Sequence, residues 1–269
     1  MHVRIAGGVG GGKRMRCRDI ADASGGELAP DDKRFRIQKL RNGSGRPLIV
    51  ANGFLTRGRD TSTKWLSLID SRYPDSPVYR VHWDTQSLIG LLKEMGPAAG
   101  VAAMRNPYLA PVVVGASAVG AWEWWDAAQQ WASSGGATLA RVIQDGKRGM
   151  LCRCCPILLG HSLGGLLMLR TAAELGRRAL PSLDSVHLLG VAAPTSANLW
   201  PARSAVRRRV FNYYSTRDTT LATWFRAATL GTEAAGRLGF GDDDRKVRNI
   251  DVSETVSKHS AYFTGVRLL

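Results

Sequence analysis

Pro156-Ile157-Leu158-Leu159-Gly160-His161-Ser162-Leu163-Gly164-Gly165-Leu166-Leu167 decides how this chain folds. The apolar run before Gly160 suits a strand buried on both faces, and Leu166, Leu167, Leu169 and Ala173 share one face of a following helix. Between them, glycine-x-serine-x-glycine sets a serine on a sharp strand-to-helix turn, the pattern of a nucleophile elbow. The pattern alone is weak, because Gly and Ser at this chain's frequencies produce roughly 0.2 matches by chance. Its weight comes from the order strand, turn, helix. The flanking glycines also suit a strained serine at a place where strand and helix come too close for a Cβ. Ser162 is therefore the candidate nucleophile, against the alternative of a structural glycine-rich turn.

Outward from the elbow, strand and helix patterns alternate. Leu48 to Ala51 reads as a buried strand, Asp60 to Tyr73 as a helix with Trp65, Leu66, Leu68 and Ile69 turned inward, and Val78 to Trp83 as a strand introduced by Pro74 and Pro77. After the elbow come a helix to about Ala179, strands at Val186 to Val191 and Val210 to Ser215, a helix from Leu221 to Leu238 and a last strand from Val247 to Val252. This alternation predicts an α/β fold, with a mainly parallel sheet covered by helices on both faces and catalytic groups at the strands' C-terminal ends. Residues 36–269 form one domain on this reading, and 1–35 a flexible, basic, Gly-rich leader. Gly7 to Gly12 with Lys13 approaches a phosphate-binding loop, but Arg14 stands where a Ser or Thr would hold magnesium, which argues against nucleotide binding.

Residues 85–153 read as an insertion. Asn106 to Trp122 carries no charge, and Trp122, Trp124, Trp125 and Trp131 follow closely. A membrane-crossing helix needs about 20 apolar residues, and this run is shorter and broken by Pro107, Pro111, Gly115 and Gly120. An apolar helical cap over the active site is the expectation, with a lipid-touching version of it open.

The chain's 269 residues carry a formal charge of +15, spread along the sequence with a cluster at Arg207-Arg208-Arg209. Such a surface is either plainly solvated or favours anionic partners, of which an anionic membrane fits better than nucleic acid because no aromatic-interleaved basic motif is present. Cys17, Cys152, Cys154 and Cys155 form neither a disulfide framework nor a zinc spacing. No apolar segment at the N-terminus is long enough for a secretory signal, so the expected location is cytoplasmic, with peripheral membrane contact open.

A serine hydroxyl needs a base to take its proton and a carboxylate to hold that base. Only His187 and His259 follow Ser162. His187 falls mid-strand, whereas His259 follows the last strand where a loop reaches the rim, making His259 the candidate base. Asp218 comes just after the strand ending Asn212-Tyr213-Tyr214-Ser215 and is the candidate acid, against the alternative of capping the Leu221 helix. His161 and His82 read as structural; Asp184 precedes a strand and would face the wrong end; Asp242 to Asp244 read as a solvated loop. The two oxyanion donors expected are the amides of Leu163, directly after the serine, and Phe54, in the loop Asn52-Gly53-Phe54-Leu55. No metal or cofactor is called for.

Taken together, Asn52-Gly53-Phe54-Leu55, Trp65, Tyr73-Pro74, Val81-His82-Trp83, the elbow and Asn212-Tyr213-Tyr214-Ser215 with Asp218 resemble one group. It is the family of predicted α/β-hydrolases that includes the transmembrane and coiled-coil domain proteins. The resemblance runs from about Pro47 to Tyr262, implies the α/β-hydrolase fold, and suggests action on lipids or at membranes. A serine hydrolase cleaving carboxylic esters, lipid or phospholipid esters foremost, is the resulting expectation. Acyl transfer on the same triad, or a silent hydrolase scaffold that binds a membrane or partner, are its alternatives.

Overall fold

A computed structural model describes residues 35–53, 61–83, 118–149, 155–177, 182–241 and 245–269. Seven strands form a single sheet: β1 (Arg36–Arg41), β2 (Leu48–Ala51), β3 (Val78–His82), β4 (Ile157–His161), β5 (Val186–Leu189), β6 (Val210–Tyr214) and β7 (Val247–Asp251). Their order across the sheet is β1-β3-β2-β4-β5-β6-β7. β1 runs antiparallel to β3, and every other neighbouring pair is parallel.

Central strands with apolar side chains on both faces need cover on both. Ile49, Ala51, Leu158 and Leu188 face one core, under the helices α2 (Ala118–Gly149) and α3 (Leu163–Gly176). Leu48, Val50, Ile157 and Leu159 face the other, against Trp65, Leu68 and Ile69 of α1 (Ser62–Asp70) and against Tyr262, Phe263 and Val266 near the C-terminus. This is an α/β-hydrolase fold, with the mainly parallel, doubly covered sheet that the alternating pattern predicts.

Two elements depart from the sequence reading. β1 is an edge strand whose alternation is masked by charge: Ile37 is buried while Arg36 and Gln38 are exposed. The helix expected over Leu221 to Leu238 is broken into a π-helical turn (Leu221–Phe225), a short α-helical piece (Arg226–Ala228) and a separate helix (Ala235–Leu238). Leu230 and Gly231 lie between them at φ 52° and 97°, and the Gly231 amide returns to the Arg226 carbonyl at 2.8 Å. A left-handed pair of this kind ends a helix whatever its apolar periodicity promises.

Helix α2 occupies the second half of the 85–153 segment. Its Trp125, Ala128, Ala132, Leu139, Ala140 and Ile143 are buried in the core shared with α3. At Gly135 an added Cβ would lie 3.0 Å from Leu167 Cδ1, and at Gly136 one would lie 2.8 Å from Arg170 Cβ, so the two helices touch almost backbone to side chain. This part of the segment is a layer of the fold. Residues 84–117, with the uncharged stretch, and the leader 1–34 lie outside the described residues, as do Cys17, Cys152, Cys154 and Asp242 to Asp244. Among the described residues no helix is long and apolar enough to cross a membrane.

Candidate active site

The site is built at the C-terminal ends of β2, β4, β6 and β7. β4 ends at His161 and α3 begins at Leu163, leaving Ser162 as the whole turn at φ 57° and ψ −125°. A non-glycine residue held there costs on the order of 1–3 kcal/mol and persists only where the surroundings over-determine it. Here they do. The Ser162 amide donates to Leu189 O at 3.0 Å, and its carbonyl accepts from Gly165, Leu166 and Ala192. Sterics hold the glycines: a Cβ at Gly160 would lie 2.5 Å from Gly164 O, and one at Gly164 would lie 2.3 Å from Ala51 O. The Leu163 amide opens the helix, where amides have no intrahelical acceptor.

Gly53 backs onto the serine, since a Cβ there would sit 2.6 Å from Ser162 Cβ and 3.2 Å from its Oγ. Asn52, one residue earlier, is latched from three sides. Its side-chain amide donates to Thr61 Oγ1 at 2.7 Å, its Oδ1 accepts from the Trp65 indole, and its carbonyl accepts from the Trp83 indole at 3.2 Å. The sequence marks these residues only as shared pieces of a pattern; their common partner becomes visible in three dimensions, because Asn52, Trp65 and Trp83 lie on different elements. Phe54, the expected second oxyanion donor, lies outside the described residues.

Asp218 and His259 meet although 41 residues separate them: His259 Nδ1 donates to Asp218 Oδ2 at 2.7 Å. The other carboxylate oxygen accepts the Leu221 amide at 3.1 Å, so Asp218 also caps the turn that follows it. Both contacts that its position suggests are thus made by one fully buried side chain. Burial alone would raise the carboxyl's pKa; the His259 charge and hydrogen bond, with the Leu221 amide, outweigh it and hold the group below the usual carboxylate range. Tyr262 lies beneath, its hydroxyl donating to Gly236 O at 3.0 Å, and burial together with the Asp218 charge pushes its phenol far upward.

Further bonds tie the acid turn to the base loop. Ser215 Oγ donates to Val256 O at 2.6 Å and accepts the Arg217 amide at 3.2 Å; Ser253 Oγ accepts the Thr216 amide at 2.9 Å. His259's ring lies 4.7 Å from that of His161, the residue before the serine. No hydrogen bond joins the Ser162 hydroxyl to His259. Such contacts often close only when substrate is bound.

The remaining sequence candidates fall where their patterns placed them. His187 is buried in the sheet, its ring stacked at 4.7 Å on Phe211 and bonded to Ser185 and Tyr213. His82 bonds to Gln38 on the edge pair, and Asp184 pairs with Arg46 and Arg208 at the opposite end of the strands. Among the described residues no cluster of three or more His, Cys, Asp or Glu could hold a metal.

Comparison with known proteins gives a family, three relatives and a solved structure of similar shape. The family model described as "Protein of unknown function (DUF726)" matches residues 28–268. An uncharacterized membrane protein of Schizosaccharomyces pombe is 25% identical over 94% of this chain and 46% of its own length. The transmembrane and coiled-coil domain-containing protein STS1 of Oryza sativa is 33% identical over 53% of this chain and 21% of its own. A probable lipase, MIL1, of Saccharomyces cerevisiae is 34% identical over 39% of this chain and 10% of its own. The chain thus spans less than half the length of these relatives. Among solved structures it is similar to the poly(3-hydroxybutyrate) depolymerase LpqC of Bordetella parapertussis, at 12% identity and TM-score 0.47 over 84% of this chain and 82% of that one.

Proposed function

Because the chain belongs to the DUF726 family, whose description assigns no activity, we propose one from the site itself: a cofactor-independent serine hydrolase of carboxylic esters. Ser162 Oγ attacks the ester carbonyl while His259 Nε2 takes the hydroxyl proton, and Asp218 holds the Nδ1–H tautomer and balances the imidazolium. The tetrahedral oxyanion rests on the amides of Leu163 and Phe54. Collapse expels the alcohol, which receives the proton from His259. The acyl-enzyme is then hydrolysed by water activated the same way, returning Ser162 and releasing the acid.

The observation that carries this reading is the 2.7 Å bond between a fully buried Asp218 and His259 beside a strained serine elbow. A surface histidine or a simple cap would not need that tautomer-fixing contact.

A lipid or phospholipid ester is the substrate class we favour, supported by the lipase-named and membrane-named relatives and by a charge of +15 that attracts anionic lipid surfaces. Trp125 of α2 meets Phe225 edge-on, 4.8 Å away in the turn after Asp218. The test is labelling with a fluorophosphonate probe. Modification of Ser162 that disappears in Ser162→Ala is expected; no labelling, or equal labelling of the variant, would leave a silent scaffold. Product analysis with an added alcohol distinguishes hydrolysis from acyl transfer, and flotation with anionic against neutral vesicles tests peripheral docking.

A further inference from the structure

The second histidine of the site has no part in the reaction just described. His161 lies in the elbow at 7% exposure, packed at 5.8 Å from the Tyr262 ring and 5.1 Å from the Phe263 ring. Its Nε2 is 2.9 Å from the backbone carbonyl of His259. A carbonyl can only accept, so Nε2 carries the hydrogen, and in the neutral ring Nδ1 is then left as an acceptor. That Nδ1 is buried without a partner. Packing between Tyr262 and Phe263 would be met at least as well by an apolar side chain, which leaves no nitrogen unpaired. The hydrogen bond to His259 is what an apolar side chain lacks.

Beyond the Asp218 bond to the His259 ring and the Ala261 amide on Lys258 O, the loop around the base is anchored mainly at its two sides. Ser257 and Lys258 are exposed, while Val256 is anchored on one side by Ser215. His161 anchors the other side, across 98 residues of sequence and from the position directly before the nucleophile. We propose that His161 is a positioning residue: through its Nε2–H it fixes the His259 backbone to the elbow, so that one rigid turn sets the separation of nucleophile and base. The inference rests on the proposed function for its catalytic consequence. The groups facing His161 are His259 and Asp218 from the site and Lys64 from α1; burial first, and the His259 charge second, push its pKa down to about 3. It therefore stays neutral and adds no second positive charge when His259 becomes an imidazolium.

Three variants separate the hydrogen bond from packing. Gln at this position places its amide nitrogen where Nε2 was, Asn where Nδ1 was, and Leu supplies no donor. The readouts are the second-order rate of fluorophosphonate labelling at Ser162, thermal unfolding, and the low-field NMR signal of the His259 proton bonded to Asp218. His161→Leu and His161→Asn are expected to slow labelling about 10- to 100-fold, as small displacements of a catalytic group do, with His161→Gln within about 5-fold of the wild type. The low-field signal should broaden or shift in Leu and Asn and persist in Gln. Wild-type rates in folded His161→Leu, or Gln as slow as Asn, would overturn the positioning role. Should His161→Leu not fold, the Gln and Asn pair decides alone. Should wild-type protein fail to label, the proposed function falls, while an unchanged NMR signal in Asn would separately overturn the positioning of His259.

Discussion

The two halves of the site are held by different physics. The elbow is fixed by backbone sterics: Gly160 and Gly164 lie where a Cβ would come within 2.5 Å of main-chain atoms, and Ser162 is tied by four backbone hydrogen bonds. The acid and base corner is fixed by side-chain bonds between two loops, through Asp218, Ser215 and Ser253. Sterics of the first kind do not grade, since main-chain atoms of a packed sheet cannot step aside. Hydrogen bonds of the second kind come apart one at a time. The elbow should therefore fail as a unit, and the corner by increments.

The hardest test of that contrast is Gly164→Ala. The added carbon would sit 2.3 Å from Ala51 O and 2.5 Å from Asn52 O. Overpacking costs typically 1–3 kcal/mol even where side chains can move, and here none is available to move. Loss of folded protein, or of all probe labelling, is expected in thermal unfolding and labelling assays. Gly241→Ala, whose Cβ would meet only Thr195 O at 3.8 Å, should keep both. A folded, reactive Gly164→Ala would break the comparison.

Asp218→Asn comes next. An amide still offers an oxygen to the Leu221 amide, so the cap survives, but the imidazole loses its tautomer-fixing acceptor. Labelling should slow by about 10³- to 10⁴-fold with the unfolding transition close to wild type. The carboxyl's pKa is lowered on folding, so the ion's contribution to stability is complete above the ordinary value of 3.8 and is lost as pH falls below it. Any stability gap between wild type and Asp218→Asn should accordingly close on acidification past pH 4 and not before.

Much of this was readable in the sequence, for reasons that differ by element. β2 is an unbroken apolar run, and β4 and β5 are apolar runs with one buried histidine each, because all three are buried on both faces; Ser162, Asp218 and His259 come after β4, β6 and β7 in the chain. β1 was not readable: an edge strand has one wet face, and Arg and Lys on it erase the apolar run. The break after Phe225 escaped because Leu230 adopts a left-handed backbone that nothing in its side chain announces. The latch on Asn52 escaped for another reason. Its donors come from Trp65 and Trp83, and only tertiary contact shows that both indoles serve the residue beside Gly53.

Between the large and the small effects lies pH. His161 and His187 are both held neutral, each with its pKa lowered from 6.5 to about 3, burial being the main cause. The unfolded chain binds protons at these positions below pH 6.5 and the folded chain does not until about pH 3. Stability is therefore intact above pH 6.5 and lost as pH falls towards 3, by up to about 1.4 kcal/mol per pH unit for each histidine. His187→Gln removes one titrating group from the sheet without touching the site, so denaturant unfolding between pH 6.5 and 4 should show a slope roughly halved. An unchanged slope would mean that His187 does not resist protonation.

The smallest effects should sort within the corner itself. Ser215→Ala removes the 2.6 Å bond to Val256 O and leaves a buried carbonyl unsatisfied, which costs about 1–3 kcal/mol. Because Val256 lies three residues before His259, labelling should slow too, by about 10-fold or less if the loop keeps its other anchor. Ser253→Ala removes the hydroxyl's bonds to the Thr216 amide and to Asp251, both open to water that can replace them, so its cost should stay within about 0.5 kcal/mol. If the corner fails by increments, the double variant should lose the sum of the two. A double variant that instead loses far more would show that the two loops dock as one cooperative unit, as the elbow does, and the distinction between sterics and hydrogen bonds would have to be drawn elsewhere.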